Sequence, residues 1–253
     1  MRSQNRLALV SFSLALFLTP IALIPFAAAI PNPIDNGRGH KADLPDAPAT
    51  PPPPPGRRQP GGSLSGEQAV CPERPQALTA ITPVDVHGKT LSEHPTFWFY
   101  TPYTADEVQS GEFSILTRNE DQRIYETSFI LPEQPGLVSV TLPDDGSVNL
   151  EAGQYYHWYL SLSCVSATEA KTNLNIDGWV QRLEPTPELE VQVGNPSSDI
   201  WYDVVDNLAI QMQTSPDENE TELEQAWVEL LNSVDLSEFI QKPIIGPVLL
   251  TDD

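Results

Sequence analysis

Phe97-Trp98-Phe99-Tyr100 decides how this chain is read. Four large apolar side chains in succession leave neither side of a strand for water. Because side chains alternate from face to face, such a run is expected between two layers, buried on both. Working outward, Leu78 to Val84 is a candidate strand before it. After it, Phe113, Ile115 and Thr117 alternate with polar neighbours, Asn119-Glu120-Asp121 turns the chain, and Ile124 to Leu131 returns with Tyr125, Thr127, Phe129 and Leu131 on one side. Gln134-Pro135-Gly136 precedes Leu137 to Leu142, and Asp144-Asp145-Gly146 precedes the strand Gln154 to Cys164. His87, beside Gly88, reads as a turn. Short strands roughly 8–12 residues apart with turn signals between them predict an antiparallel β-sandwich. It is expected to span residues 71–182, giving a mainly β fold with a small α part.

The period changes after residue 182. Trp201, Val204, Val205, Leu208 and Met212 recur at helical spacing, with Ser197 or Ser198 as a cap. Thr221 with Glu224 makes a capping box, and Leu223, Ala226, Trp227, Leu230, Leu231 and Val234 then form one apolar face. Asp235 with Glu238 starts a short third helix. Residues 183–253 are therefore expected to be an acidic C-terminal αα-hairpin docked on the sandwich, since two helices alone cannot hold a core. The tail Ile244 to Leu250 is apolar but too short to span a membrane.

At the other end, Arg2 and Arg6 precede an apolar run ending in Ala27-Ala28-Ala29, the pattern of a signal peptide over residues 1–29. Pro20 and Pro25 interrupt that run, which weighs against a stable membrane-spanning helix after export. Residues 30–70 hold ten of the 26 prolines, including Pro51 to Pro55, and read as a Pro-rich disordered linker favouring polyproline II. A spacer is the plain reading of it. The functional one is a ligand for an aromatic groove, or a tether through Arg57 and Arg58.

The 253 residues carry 35 acidic side chains against 13 Lys and Arg, a net charge of −22. That balance argues against nucleic acid and against anionic lipid surfaces. Two cysteines exclude a disulfide-dense scaffold and a four-cysteine metal site. In an oxidising compartment Cys71 and Cys164 are expected to pair with each other, closing a long loop.

Two resemblances attach to these residues. Pro95-Thr96-Phe97-Trp98, taken with Gly153-Gln154-Tyr155-Tyr156-His157-Trp158, resembles the two ends of a fibronectin type III or immunoglobulin-like module, which implies that kind of sandwich. The region from Gly56-Arg57-Arg58 to Pro243 is similar to the cyanobacterial DUF928 family, carried by His94 to Tyr100, Gly153 to Trp158, Gly178-Trp179-Val180-Gln181-Arg182 and Ile200-Trp201-Tyr202-Asp203. That resemblance implies an envelope setting and no activity.

Familiar chemistry is missing from the sequence. The four histidines lack metal spacing, no serine sits in a nucleophile elbow, and Asp217 to Glu220 lacks the pattern of a calcium loop, so neither metal nor cofactor is expected. Tyr155, His157 and Tyr159 share one face of a strand and could form an aromatic platform for a sugar or a protein. The preferred alternative has the helical hairpin covering that face. Trp201 and Trp227 offer a second candidate surface. The leading expectation is an exported, non-catalytic interaction module, with an envelope protein or glycan as partner. Behind it stand an enzyme using a carboxylate or His157 in a cleft between sandwich and helices, and an assembly factor for secreted proteins.

Overall fold

The structure is a computed structural model that describes residues 51–61, 71–164, 172–214 and 220–251. The expected signal peptide, residues 30–50 and 62–70 of the proline-rich stretch, and Asp217 to Asn219 lie outside the described residues. Among those described, the chain runs through β1 (Thr79–Ala80), β2 (His87–Thr90), β3 (Thr96–Thr101), β4 (Val108–Thr117), β5 (Arg123–Ile130), β6 (Gly136–Thr141), β7 (Tyr155–Cys164) and β8 (Thr172–Arg182). It continues through α1 (Pro187–Glu190), α2 (Trp201–Thr214), α3 (Glu220–Asn232), β9 (Ile244–Pro247) and β10 (Leu249–Thr251).

Two sheets face each other. One has the order β1-β3-β6-β9 and the other β10-β5-β4-β7-β8-β2. The sandwich is not antiparallel throughout, because β2 runs parallel to β8 and β9 parallel to β6. His87 and Gly88 belong to β2 rather than to a turn. The apolar tail closes both sheets, β9 extending the four-stranded one and β10 pairing with Ser128 to Ile130 of the six-stranded one. A run of seven residues divided by Pro247 is too short to show a strand period, so the pairing shows only in three dimensions.

The alternation in β3 comes out as its sequence demands. Phe97 and Phe99 enter the core between the sheets, where Phe113 of β4 lies 5.0 Å from Phe97 and Trp158 of β7 5.6 Å from Phe99, ring centre to ring centre. Trp98 and Tyr100 face the other way, into a second core with Trp201, Val204, Val205 and Leu208 of α2 and Trp227, Leu230 and Leu231 of α3. One side chain crosses between the cores. Tyr202 of α2 packs edge-on against Phe97 at 4.9 Å, accepts a hydrogen bond from Trp158 Nε1 at 2.8 Å and donates to the Trp179 carbonyl at 3.0 Å. Its ring lies so close to Gly88 that a Cβ there would stand 2.5 Å from it. Cys71 and Cys164 are bonded, with Cα atoms 5.2 Å apart. Closing a 93-residue loop is worth ~4 kcal/mol in the chain-entropy account.

The proline stretch is not a free spacer over residues 51–61. Arg57 exchanges two backbone hydrogen bonds with Asp177 of β8, at 2.8 and 3.1 Å. The Arg58 carbonyl accepts from Ala80 N at 2.9 Å, and Arg58 Nη2 donates to the Val234 carbonyl at 2.8 Å. This strap thus ties the edges of both sheets to the end of the helical region. Gly56 is required, since a Cβ would stand 2.4 Å from the Asp177 carbonyl oxygen.

Candidate functional site

Tyr155, His157 and Tyr159 lie on the outer face of the six-stranded sheet, the side away from the inter-sheet core. Trp179 stands directly across from His157 on β8, and the two rings stack at 3.9 Å. Both histidine nitrogens are engaged. Nδ1 lies 2.7 Å from Glu120 Oε1 and 2.9 Å from the Tyr159 hydroxyl, and Nε2 lies 3.1 Å from Asp177 Oδ2. Asp177 in turn accepts from Arg57 Nε at 2.6 Å. Burial works against the Asp177 carboxylate, but the hydrogen bonds from His157 and Arg57 outweigh it and hold the group below its usual range. The Tyr159 phenol is pushed up to about 12 by burial and by the neighbouring Glu120. Both nitrogens have partners and the residue is 7% exposed, so His157 pins Glu120, Tyr159 and Asp177 together.

The strap, not the helices, lies on this face, and the expected cover by the αα-hairpin is corrected accordingly. The helices bury Trp98 and Tyr100 on the opposite sheet instead. Trp201 and Trp227 are 4% and 1% exposed and belong to that second core. Trp201 Nε1 donates to the Ile81 carbonyl at 2.8 Å, which fixes the start of α2 against the sheet edge.

What remains open lies around Tyr155. A groove of about 530 Å³ runs past it, lined among others by Arg118, Arg123, Gln122, Asn149 and Gln154. The Arg118 guanidinium sits 5.2 Å from the Tyr155 ring centre and donates from Nη2 to the Pro51 carbonyl. Its Nη1 is buried and has no hydrogen-bond partner among the described residues. A buried N–H without an acceptor is unfavourable by about 1–3 kcal/mol, which a ligand oxygen would relieve. Arg123 is held by Glu126 and offers less free charge. On the other side of Tyr155 a second hollow of about 360 Å³ is lined by His87, Lys89, Gln181 and Trp201. Sequence reasoning found Tyr155 by its alternation. It missed Arg118, which sits beside a turn and carries no pattern of its own.

A third hollow, about 250 Å³, lies where α2 meets the sandwich, and Asp203 and Asp206 line it. Burial pushes both carboxyls up. Asp203 Oδ2 accepts from Leu91 N at 3.0 Å and Asp206 Oδ1 from Trp98 Nε1 at 3.0 Å. Among the described residues no cluster of three or more His, Cys, Asp or Glu could hold a metal ion.

A family model described as Domain of Unknown Function (DUF928) matches residues 56–244. The match opens at the strap glycine and reaches the first residue of β9, so it takes in β1 to β8 and the helices but not β10. No curated protein matches the chain.

Proposed function

We propose that this chain, which belongs to the DUF928 family, is an exported, non-catalytic interaction module of the cell envelope that takes its partner in the groove around Arg118 and Tyr155. The observation that carries the reading is the buried Nη1 of Arg118, without a hydrogen-bond partner among the described residues, beside an aromatic ring in the largest of the three hollows. Export is supported by the Cys71–Cys164 bond, which needs an oxidising compartment. The same proposal keeps a fibronectin type III or immunoglobulin-like sandwich and the pairing of α2 with α3 as an αα-hairpin. The two facing sheets around Trp158 and the apolar core shared by both helices support it.

The test compares capture of envelope components by the mature protein and by the Arg118→Ala/Tyr155→Ala double variant, at matched folding. Capture should fall at least tenfold in the variant, and unchanged capture contradicts the reading. One observation favours a second reading: Asp203 and Asp206, both shifted up, line a hollow between helix and sheet, the setting an acid–base pair would need. Their acceptor bonds to Leu91 N and Trp98 Nε1 point instead to anchoring of α2, and we rank catalysis below binding.

A further inference from the structure

We infer that the partner of the groove is a proline-rich, arginine-bearing segment of another protein, held as an extended polyproline helix. The inference rests on the groove reading above and names its ligand. It comes from what already lies there. Five consecutive prolines, Pro51 to Pro55, fix the backbone dihedral of each residue and leave polyproline II as the favoured conformation. That helix has three residues per turn, so carbonyls three apart point the same way. The body engages such a pair. Arg118 donates to the Pro51 carbonyl, and His87 Nε2 lies 3.0 Å from the Pro54 carbonyl. Arg118 and His87 line the two hollows that meet at Tyr155. Pro53, between the two contact points, is buried, while its proline neighbours are exposed.

Charge then fixes the end that follows. Two residues beyond the run, Arg57 Nε meets Asp177 on the same face, which also presents Glu120. The face thus offers donors to proline carbonyls, then acidic groups to an arginine. Aromatic-lined grooves take proline-rich segments in the same preformed extended helix. The strap already holds this seat, between the two hollows, in cis at a tethered concentration of order millimolar, which a free ligand must overcome. A second copy of this chain is a poor ligand because each copy carries −22. A cationic segment on a different protein is drawn to it.

Gly56→Val separates the strap from its receptor. The added side chain cannot sit against the Asp177 backbone, so the strap is lifted while the sheet face stays intact. The probe is a labelled peptide with the sequence of residues 49–61, read by fluorescence anisotropy on the full mature chain. The Gly56→Val protein should bind it at least tenfold more tightly than wild type, and adding Arg118→Ala should remove that gain. A peptide with glutamates in place of Arg57 and Arg58 should bind at least tenfold more weakly. If Gly56→Val does not fold, Arg57→Ala serves as the lifted variant. Equal peptide binding by wild type and lifted variant overturns the inference, as does binding indifferent to Arg118→Ala. So does concentration-dependent pairing of lifted copies without peptide binding. Capture of cell-wall oligosaccharide in place of peptide, lost on Arg118→Ala, also overturns it while leaving the groove reading standing. Loss of neither ligand on Arg118→Ala removes both.

Discussion

The two outer faces of the sandwich are covered in opposite ways. The four-stranded sheet presents Trp98 and Tyr100 to two helices, and the contact is apolar. The six-stranded sheet presents Tyr155, His157, Tyr159 and Trp179 to the chain's own proline strap, and the contact is a network of charges and hydrogen bonds. Apolar burial is non-directional and scales with area, so the helical cover supplies stability. A strap held by a few polar contacts gives little net free energy per contact, and so can come off without unfolding what lies beneath. The comparison teaches that one cover is part of the core and the other is a seat.

The sharpest break is Trp98→Ala. Removing a buried indole from the helical side should lower stability by about 3–5 kcal/mol in denaturant titration. His157→Ala, on the strap side, strips three hydrogen-bonded contacts and the stack on Trp179, and should lower it by about 2 kcal/mol. If the two losses come out equal, the distinction between core and seat fails. Arg57→Ala is expected to change global stability by about 1 kcal/mol or less, because its side chain is 59% exposed, yet to free the strap to limited proteolysis.

Acid separates the two faces by sign. Asp203 and Asp206 titrate above their ordinary range in the fold, so their contribution is complete at low pH and lost as pH rises through the raised values. Asp177 titrates below its range, so its contribution is complete above about pH 4 and lost as pH falls through the lowered value. The melting temperature should therefore rise on acidification from neutral pH toward the ordinary aspartate value of about 4, while below it the strap becomes cleavable first. The smallest effect is expected from Asp206→Asn, which keeps an acceptor for Trp98 Nε1 and removes a half-buried charge. It should gain less than about 1 kcal/mol at neutral pH and flatten the rise on acidification. A steeper rise would show that the aspartate is not its source.

Sequence pattern carried the reading as far as contacts are local or periodic. The double burial of β3 follows from four adjacent apolar residues, and the two helices follow from spacing. The disulfide follows from there being two cysteines and an expected oxidising compartment. β8 was legible only as the Gly178-Trp179-Val180 segment that carries the family resemblance, because burial on one face by a stacked histidine leaves no simple alternation. The network at His157 escaped because its partners stand 20 and 37 positions away at Asp177 and Glu120, with Arg57 a further 120 from Asp177. The strap escaped for a different reason. Prolines signal extended backbone but say nothing of what that backbone lies on, and its docking uses carbonyls, which every residue has.

Residue-resolved hydrogen exchange on the oxidised full chain tests the central claim, that the proline segment is seated on the six-stranded sheet. The Arg57 amide, bonded to the Asp177 carbonyl at 2.8 Å, should exchange well below the unfolded-chain rate, yet faster than the amides of β7. Unfolded-chain exchange at Arg57 with β7 fully protected would contradict it.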